Sequence, residues 1–125
     1  MSSPEILDRL AAVIAERARA RAGGAPGAAP SYVAKLLDGG HAAIAAKVRE
    51  ESAELVDAAA EGDAAHTAHE AADLLFHVWV LLAHAGVAPA AVFAELERRF
   101  GTSGLVEKAS RAAGGNGARS GGDAC

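Results

Sequence analysis

The stretch "VREESAELVDAAAEGDAAHTAHEAADLL", Val48 to Leu75, decides the fold. It is rich in alanine, leucine and glutamate, which favour helix. Gly62 interrupts it, and Asp63 follows at once. Glycine ends helices and aspartate starts them, so the stretch predicts two helices joined by a very short turn. Helices joined so tightly lie antiparallel and side by side. The first carries Glu50, Glu51 and Glu54, and the second carries Glu70 and Asp73. The two sets sit at comparable distances from the turn and are expected at the same level. On a helical wheel Glu51 and Glu54 border the apolar side of their helix, and Glu50 lies farther from it. Glu51, Glu54, Glu70 and Asp73 are therefore expected to face one cleft.

The punctuation continues outward. Ser2 and Glu5 have capping-box spacing, which predicts a first helix to about Ala22 burying Ile6, Leu7, Leu10, Val13 and Ile14. Gly23 to Pro30, "GGAPGAAP", reads as a loop. Ser31 is placed to cap a short helix through Leu37, stopped by Gly39-Gly40. A third helix is expected from His41 to Glu61 and a fourth from Asp63 to Ala85, with Gly86 as its stop. Pro89 opens a fifth helix that ends near Phe100-Gly101, and a last short one is expected over Leu105 to Ala112. Residues 1–112 thus form one domain. Residues 113–125 are rich in Gly, Ser and Ala, offer almost nothing to bury, and are expected to be a disordered tail.

The 125 residues are 51% hydrophobic but only 4% aromatic, which favours an all-α fold of about four main helices over any sheet. A net charge of −4 argues against a nucleic-acid partner. The lone Cys125 suits a reducing compartment. No apolar run approaches the ~20 residues that cross a bilayer, and the N-terminus lacks the basic-then-apolar order of a signal peptide. A cytoplasmic location and no membrane partner are expected. "LLFHVWVLLA", Leu74 to Ala83, is apolar nearly all round, more than a small domain easily covers. It predicts a homo-oligomer, most simply a dimer, with Trp79 and Leu82 near the subunit interface.

Carboxylates that close repel unless a cation lies between them. Oxygen donors without thiolates select Mg²⁺, with Mn²⁺ as the alternative, and a carboxylate-held Mg²⁺ keeps positions open for water and phosphate oxygens. The same acids also suit a solvated helix face. A di-iron bundle would need Glu-x-x-His pairs, and no Glu here has His three residues on. His66, His77 and His84 share the stripe of Glu70 and Asp73, and His69, Asp73 and His77 have spacing suited to zinc.

"EESAE" followed by "EAAD" resembles the E-E-x-x-E … E-x-x-D signature of the all-α, MazG-like nucleotide pyrophosphohydrolases. "SYVAKLLDGG", "IAAKVREESAELV", "HEAADLLFHVWVLLAHAGV" and "VFAELERRFGTSGLVEKASR" are similar to the phosphoribosyl-ATP pyrophosphohydrolases of histidine biosynthesis, and the likeness spans Leu7 to Arg111. It implies Mg²⁺-dependent hydrolysis of the α–β phosphoanhydride of N1-(5-phosphoribosyl)-ATP to phosphoribosyl-AMP and pyrophosphate, with the next step left to a separate cyclohydrolase. It also implies Glu51, Glu54, Glu70 and Asp73 as metal ligands and Glu50 as a base beside them. Lys35, Lys47, Lys108, Ser110 and Arg111 become candidate phosphate contacts. Val33, Ala46 and Arg49 depart from the common pattern, which bears on phosphate contact more than on the metal site. Two other functions fit the same residues. One is an enzyme of this fold that removes non-standard nucleoside triphosphates. The other is a helical dimerisation module with solvated acids.

Overall fold

The computed structural model describes residues 3–23 and 31–101. The expected capping role of Ser2, the helix over Leu105 to Ala112, the tail and the 112/113 domain boundary lie outside these residues, as does the Gly23–Pro30 loop beyond Gly23. Among the described residues there are four α-helices and no strand: α1 (Ser3–Gly23), α2 (Tyr32–Glu61), α3 (Ala64–Ala85) and α4 (Pro89–Gly101). Their boundaries follow the punctuation in the sequence. Ser31 is extended (φ −124°, ψ 158°) and its side chain accepts from the Ala34 N–H at 3.0 Å. Such a cap contributes about 1 kcal/mol. Asp63 caps α3 in the same way, accepting from the His66 N–H at 3.0 Å. Between them Gly62 adopts φ 79°, ψ 14°, and its N–H closes on the Ala59 carbonyl at 3.2 Å. That left-handed position is one a side chain resists.

One boundary differs from expectation. The short helix after Ser31 and the helix from His41 are a single run, bent at Gly40. Gly39 stays helical, and only Gly40 leaves helical geometry, at φ 74°, ψ −169°. L-residues are essentially excluded from that region. The bend packs Val33, Leu36 and Leu37 into the core and carries Tyr32 to α3. Gly40→Ala should therefore destabilise the chain by about 1–3 kcal/mol, although its Cβ would meet nothing within 4 Å. Urea denaturation monitored by circular dichroism reads this, and an unchanged midpoint would show that the bend is not fixed by this residue.

The compact unit that contains α1 to α3 has its core where the three helices meet. Ile14, Ile44 and Val80, one from each helix, are at most 1% exposed, whereas Ile6 and Val13 of α1, expected to be buried with Ile14, are exposed and Leu7 and Leu10 half-buried. Each such buried side chain contributes about 1.5–3 kcal/mol. Trp79 is also buried, 5% exposed within one chain. It belongs to this core, which corrects its expected place at a subunit interface. Leu75 remains exposed and Leu82 half-buried. α4 belongs almost wholly to a second unit. Its Glu95 pairs with Arg98 at 2.8 Å and Arg99 at 3.0 Å, which together hold the carboxyl down at about 2.

Candidate metal centre

α2 and α3 run back from the Gly62-Asp63 turn, and the acids meet on them as two clusters. Glu50, Glu51 and Glu54 each offer an oxygen within 4.8 Å of the others, and on α3 a ring nitrogen of His69 and oxygens of Glu70 and Asp73 lie equally close together. Glu54 feels the charge of Glu70 on the neighbouring helix, so the two clusters stand within electrostatic reach of each other. Glu54 is pushed above the usual carboxylate range, first by the charge of Glu51, then by desolvation and by Glu70.

Burial sorts the five acids. Glu51 and Glu70 are buried, at 5% and 7% exposure, while Asp73 is half-buried and Glu50 and Glu54 are exposed. The wheel reading of Glu51 and Glu50 agrees with this, whereas Glu54, expected to border the buried face with Glu51, is exposed. Glu51 Oε1 and Glu70 Oε1 lie buried without a hydrogen-bond partner. A buried carboxylate oxygen left so costs several kcal/mol unless something answers its charge.

The basic residues take definite places. Lys47 Nζ stands 3.1 Å from Glu50 Oε1 and 3.4 Å from Glu51 Oε2, and the bond to Glu50 leads in raising its pKa above the usual lysine value. The ammonium is thus committed to carboxylates in the site where the sequence suggested a phosphate contact. Lys35 is exposed on the first turn of α2. Lys108, Ser110 and Arg111 lie outside the described residues.

Three aromatic or imidazole groups complete the site. His77 is buried, its Nδ1 2.7 Å from the Asp73 carbonyl and its Nε2 2.8 Å from the Tyr32 hydroxyl. A carbonyl only accepts, so Nδ1 carries the proton and the tyrosine hydroxyl donates to Nε2. Both ring nitrogens are occupied, so His69, Asp73 and His77 do not form the zinc site their spacing suggests. Tyr32 stacks on Phe76 with ring centroids 5.8 Å apart. Burial raises its pKa, Lys47 opposes the rise, and Glu51, Glu50 and Asp73 add to it, so the ring stands within electrostatic reach of both clusters. The third group, His66, places Nε2 3.1 Å from Glu70 Oε2. Sequence reading gave neither Tyr32 nor His66 a role. His66 had a signal in its spacing, one turn before Glu70. Tyr32 had no local signal.

The donor set fits a hard divalent cation. Its carboxylates, Glu51, Glu54, Glu70 and Asp73, offer only oxygen, their charges are close enough to raise the Glu54 pKa, and two buried oxygens among them have no hydrogen-bond partner. A groove of about 540 Å³ between α1 and the end of α3, lined by residues such as Ile14, Ala18, Trp79 and Val87, contains no carboxylate. It is a poor place for polyphosphate chemistry despite its size.

Antiparallel helices that face each other with E-E-x-x-E and E-x-x-D carboxylates define an all-α bundle of the MazG-like class. The phosphoribosyl-ATP pyrophosphohydrolase family model matches residues 7–100. The chain is 54% identical over 111 residues to a phosphoribosyl-ATP pyrophosphatase of Methylibium petroleiphilum, covering 89% of this chain and 88% of that one. It is 55% identical over 111 residues to the protein of the same name from Novosphingobium aromaticivorans, covering 89% and 98%, and 50% identical over 110 residues to that of Rhodopirellula baltica, covering 86% and 87%. The chain belongs to the phosphoribosyl-ATP pyrophosphohydrolase family.

Proposed function

We propose that the chain hydrolyses the α–β phosphoanhydride of N1-(5-phosphoribosyl)-ATP, releasing phosphoribosyl-AMP and pyrophosphate in histidine biosynthesis, with Mg²⁺ as cofactor and Mn²⁺ as its substitute. The relatives' shared name supports the substrate. The observation that carries the chemistry is the pair of buried, unpartnered oxygens on Glu51 and Glu70. Glu51, Glu54, Glu70 and Asp73 would hold the cation. When bound, Mg²⁺ neutralises polyphosphate charge and lowers the pKa of a coordinated water. Glu50, exposed beside the cluster, takes the proton from the attacking water as its oxygen bonds to the α-phosphorus and the bond to pyrophosphate breaks. Tyr32 and His77 keep the backbone at Asp73 fixed. Lys35, Lys108, Ser110 and Arg111 are the proposed phosphate contacts.

No single described helix is long and apolar enough to cross a membrane. A cytoplasmic dimer, passing its product to a separate cyclohydrolase, is the setting this reading implies. The test is pyrophosphate release from phosphoribosyl-ATP beside ATP and several dNTPs. Turnover should favour phosphoribosyl-ATP, vanish with EDTA and return with Mg²⁺. Equal turnover of dNTPs would move the reading to clearance of non-standard nucleotides, and metal-independent turnover would remove the carboxylate site from the mechanism.

A further inference from the structure

Glu51 and Glu70 are held alike. Four residues before Glu51, Lys47 Nζ lies 3.4 Å from Glu51 Oε2. Four residues before Glu70, His66 Nε2 lies 3.1 Å from Glu70 Oε2. In both cases the other oxygen, Oε1, is buried with no hydrogen-bond partner. Helical side chains lean toward the N-terminus, so each carboxylate lies over the turn that carries its donor. The donors are themselves held, Lys47 by Glu50 at 3.1 Å and the His66 backbone by the Asp63 cap at 3.0 Å. Exposed ion pairs contribute little, but here the acid's side chain is only 7% exposed in Glu51 and 10% in Glu70.

We propose that Lys47 and His66 are positioning residues for the cation site: each fixes one oxygen of a buried carboxylate and so aims the other at the cation. This rests on the reading of these acids as metal ligands. Groups that orient ligands from behind usually change metal affinity when lost. A phosphate contact would leave metal affinity alone.

The test is titration of the full-length chain with Mn²⁺ alone, with free ion read by electron paramagnetic resonance and helicity by circular dichroism. His66→Ala and Lys47→Met should each weaken Mn²⁺ binding about 10-fold or more at unchanged helicity. His66→Gln and Lys47→Arg, which keep a donor, should recover most of it. The lysine variant has an informative sign. Removing a positive charge beside acids would by charge alone tighten cation binding, so weaker binding reports lost orientation. Unchanged or tighter Mn²⁺ binding in the Ala and Met variants, or an equal loss in Gln and Arg, overturns the proposal. So does a raised KM for phosphoribosyl-ATP at unchanged Mn²⁺ affinity, which would make Lys47 a phosphate contact. A chain that binds Mn²⁺ in this donor-dependent way yet leaves phosphoribosyl-ATP intact would sink the proposed function alone.

Discussion

Glu51→Met should abolish hydrolysis and at the same time make the metal-free chain more stable. The two effects have one cause. Glu51 is 5% exposed, its Oε1 has no hydrogen-bond partner, and its charge is the main reason Glu54 is held above the usual carboxylate range. Methionine is similar in length and carries no charge. Replacing a buried ion pair by well-packed apolar side chains is often neutral or stabilising by about 1–4 kcal/mol, and the partner left here, Lys47, is partly exposed and so stays hydrated. Lys47 would still keep Glu50 at 3.1 Å, so no cation is orphaned. The pH dependence has a definite sign. Glu54, whose carboxyl the Glu51 charge holds above its usual range, costs stability as pH rises from its unfolded pKa through its folded one, and loss of the Glu51 charge relieves that cost. The advantage of the variant should therefore be largest at neutral pH and shrink on acidification. Saturating Mg²⁺ should reverse the order, because only the wild type gains from the ion. Thermal melts across pH, with and without Mg²⁺, beside a pyrophosphate-release assay, measure all four. A variant less stable than wild type without metal, or one retaining near-normal turnover, would remove Glu51 from the proposed metal site.

Which features were legible in the sequence follows from how far each interaction reaches along the chain. Caps and stops act within one turn, and Ser31, Gly62, Asp63 and Gly86 stand where local rules put them. The facing acid clusters follow from the short turn, which leaves α2 and α3 little choice of arrangement. The Lys47–Glu51 and His66–Glu70 pairs are also local, at i, i+4. Their spacing was visible, but only burial distinguishes a held carboxylate from a surface pair. Tyr32 and His77 meet across 45 positions, by way of the bend at Gly40. Nothing local announces that contact, because paired glycines read equally well as a stop between two helices. Trp79 shows the opposite failure. A helix apolar nearly all round predicts cover on most sides without saying who supplies it. α1, through the core it shares with α2 and α3, supplies more of that cover than expected.

Val80→Asp should unfold the chain, whereas Val56→Asp and Leu75→Asp should leave it helical and dissociate the proposed dimer. Val80 is 0% exposed, in the core with Ile14 and Ile44. A carboxylate there has no cation to meet, and an uncompensated buried charge costs at least ~3–5 kcal/mol. Loss of the valine packing adds about 1.5–3 kcal/mol. Together these approach the ~5–15 kcal/mol that a domain possesses. Val56 on α2 and Leu75 on α3 are different. They are 66% and 42% exposed in one chain, so a charge there stays hydrated and the fold should tolerate it. In a dimer that buries them, the same charges would face an apolar partner surface. Circular dichroism and light scattering separate the cases: Val80→Asp loses helicity, while the Val56→Asp, Leu75→Asp double variant keeps it and falls to monomer mass. A wild-type monomer at micromolar concentration would sink the dimer outright. A double variant that remains dimeric would move the interface elsewhere, leaving the apolar groove between α1 and α3 as the next surface to substitute.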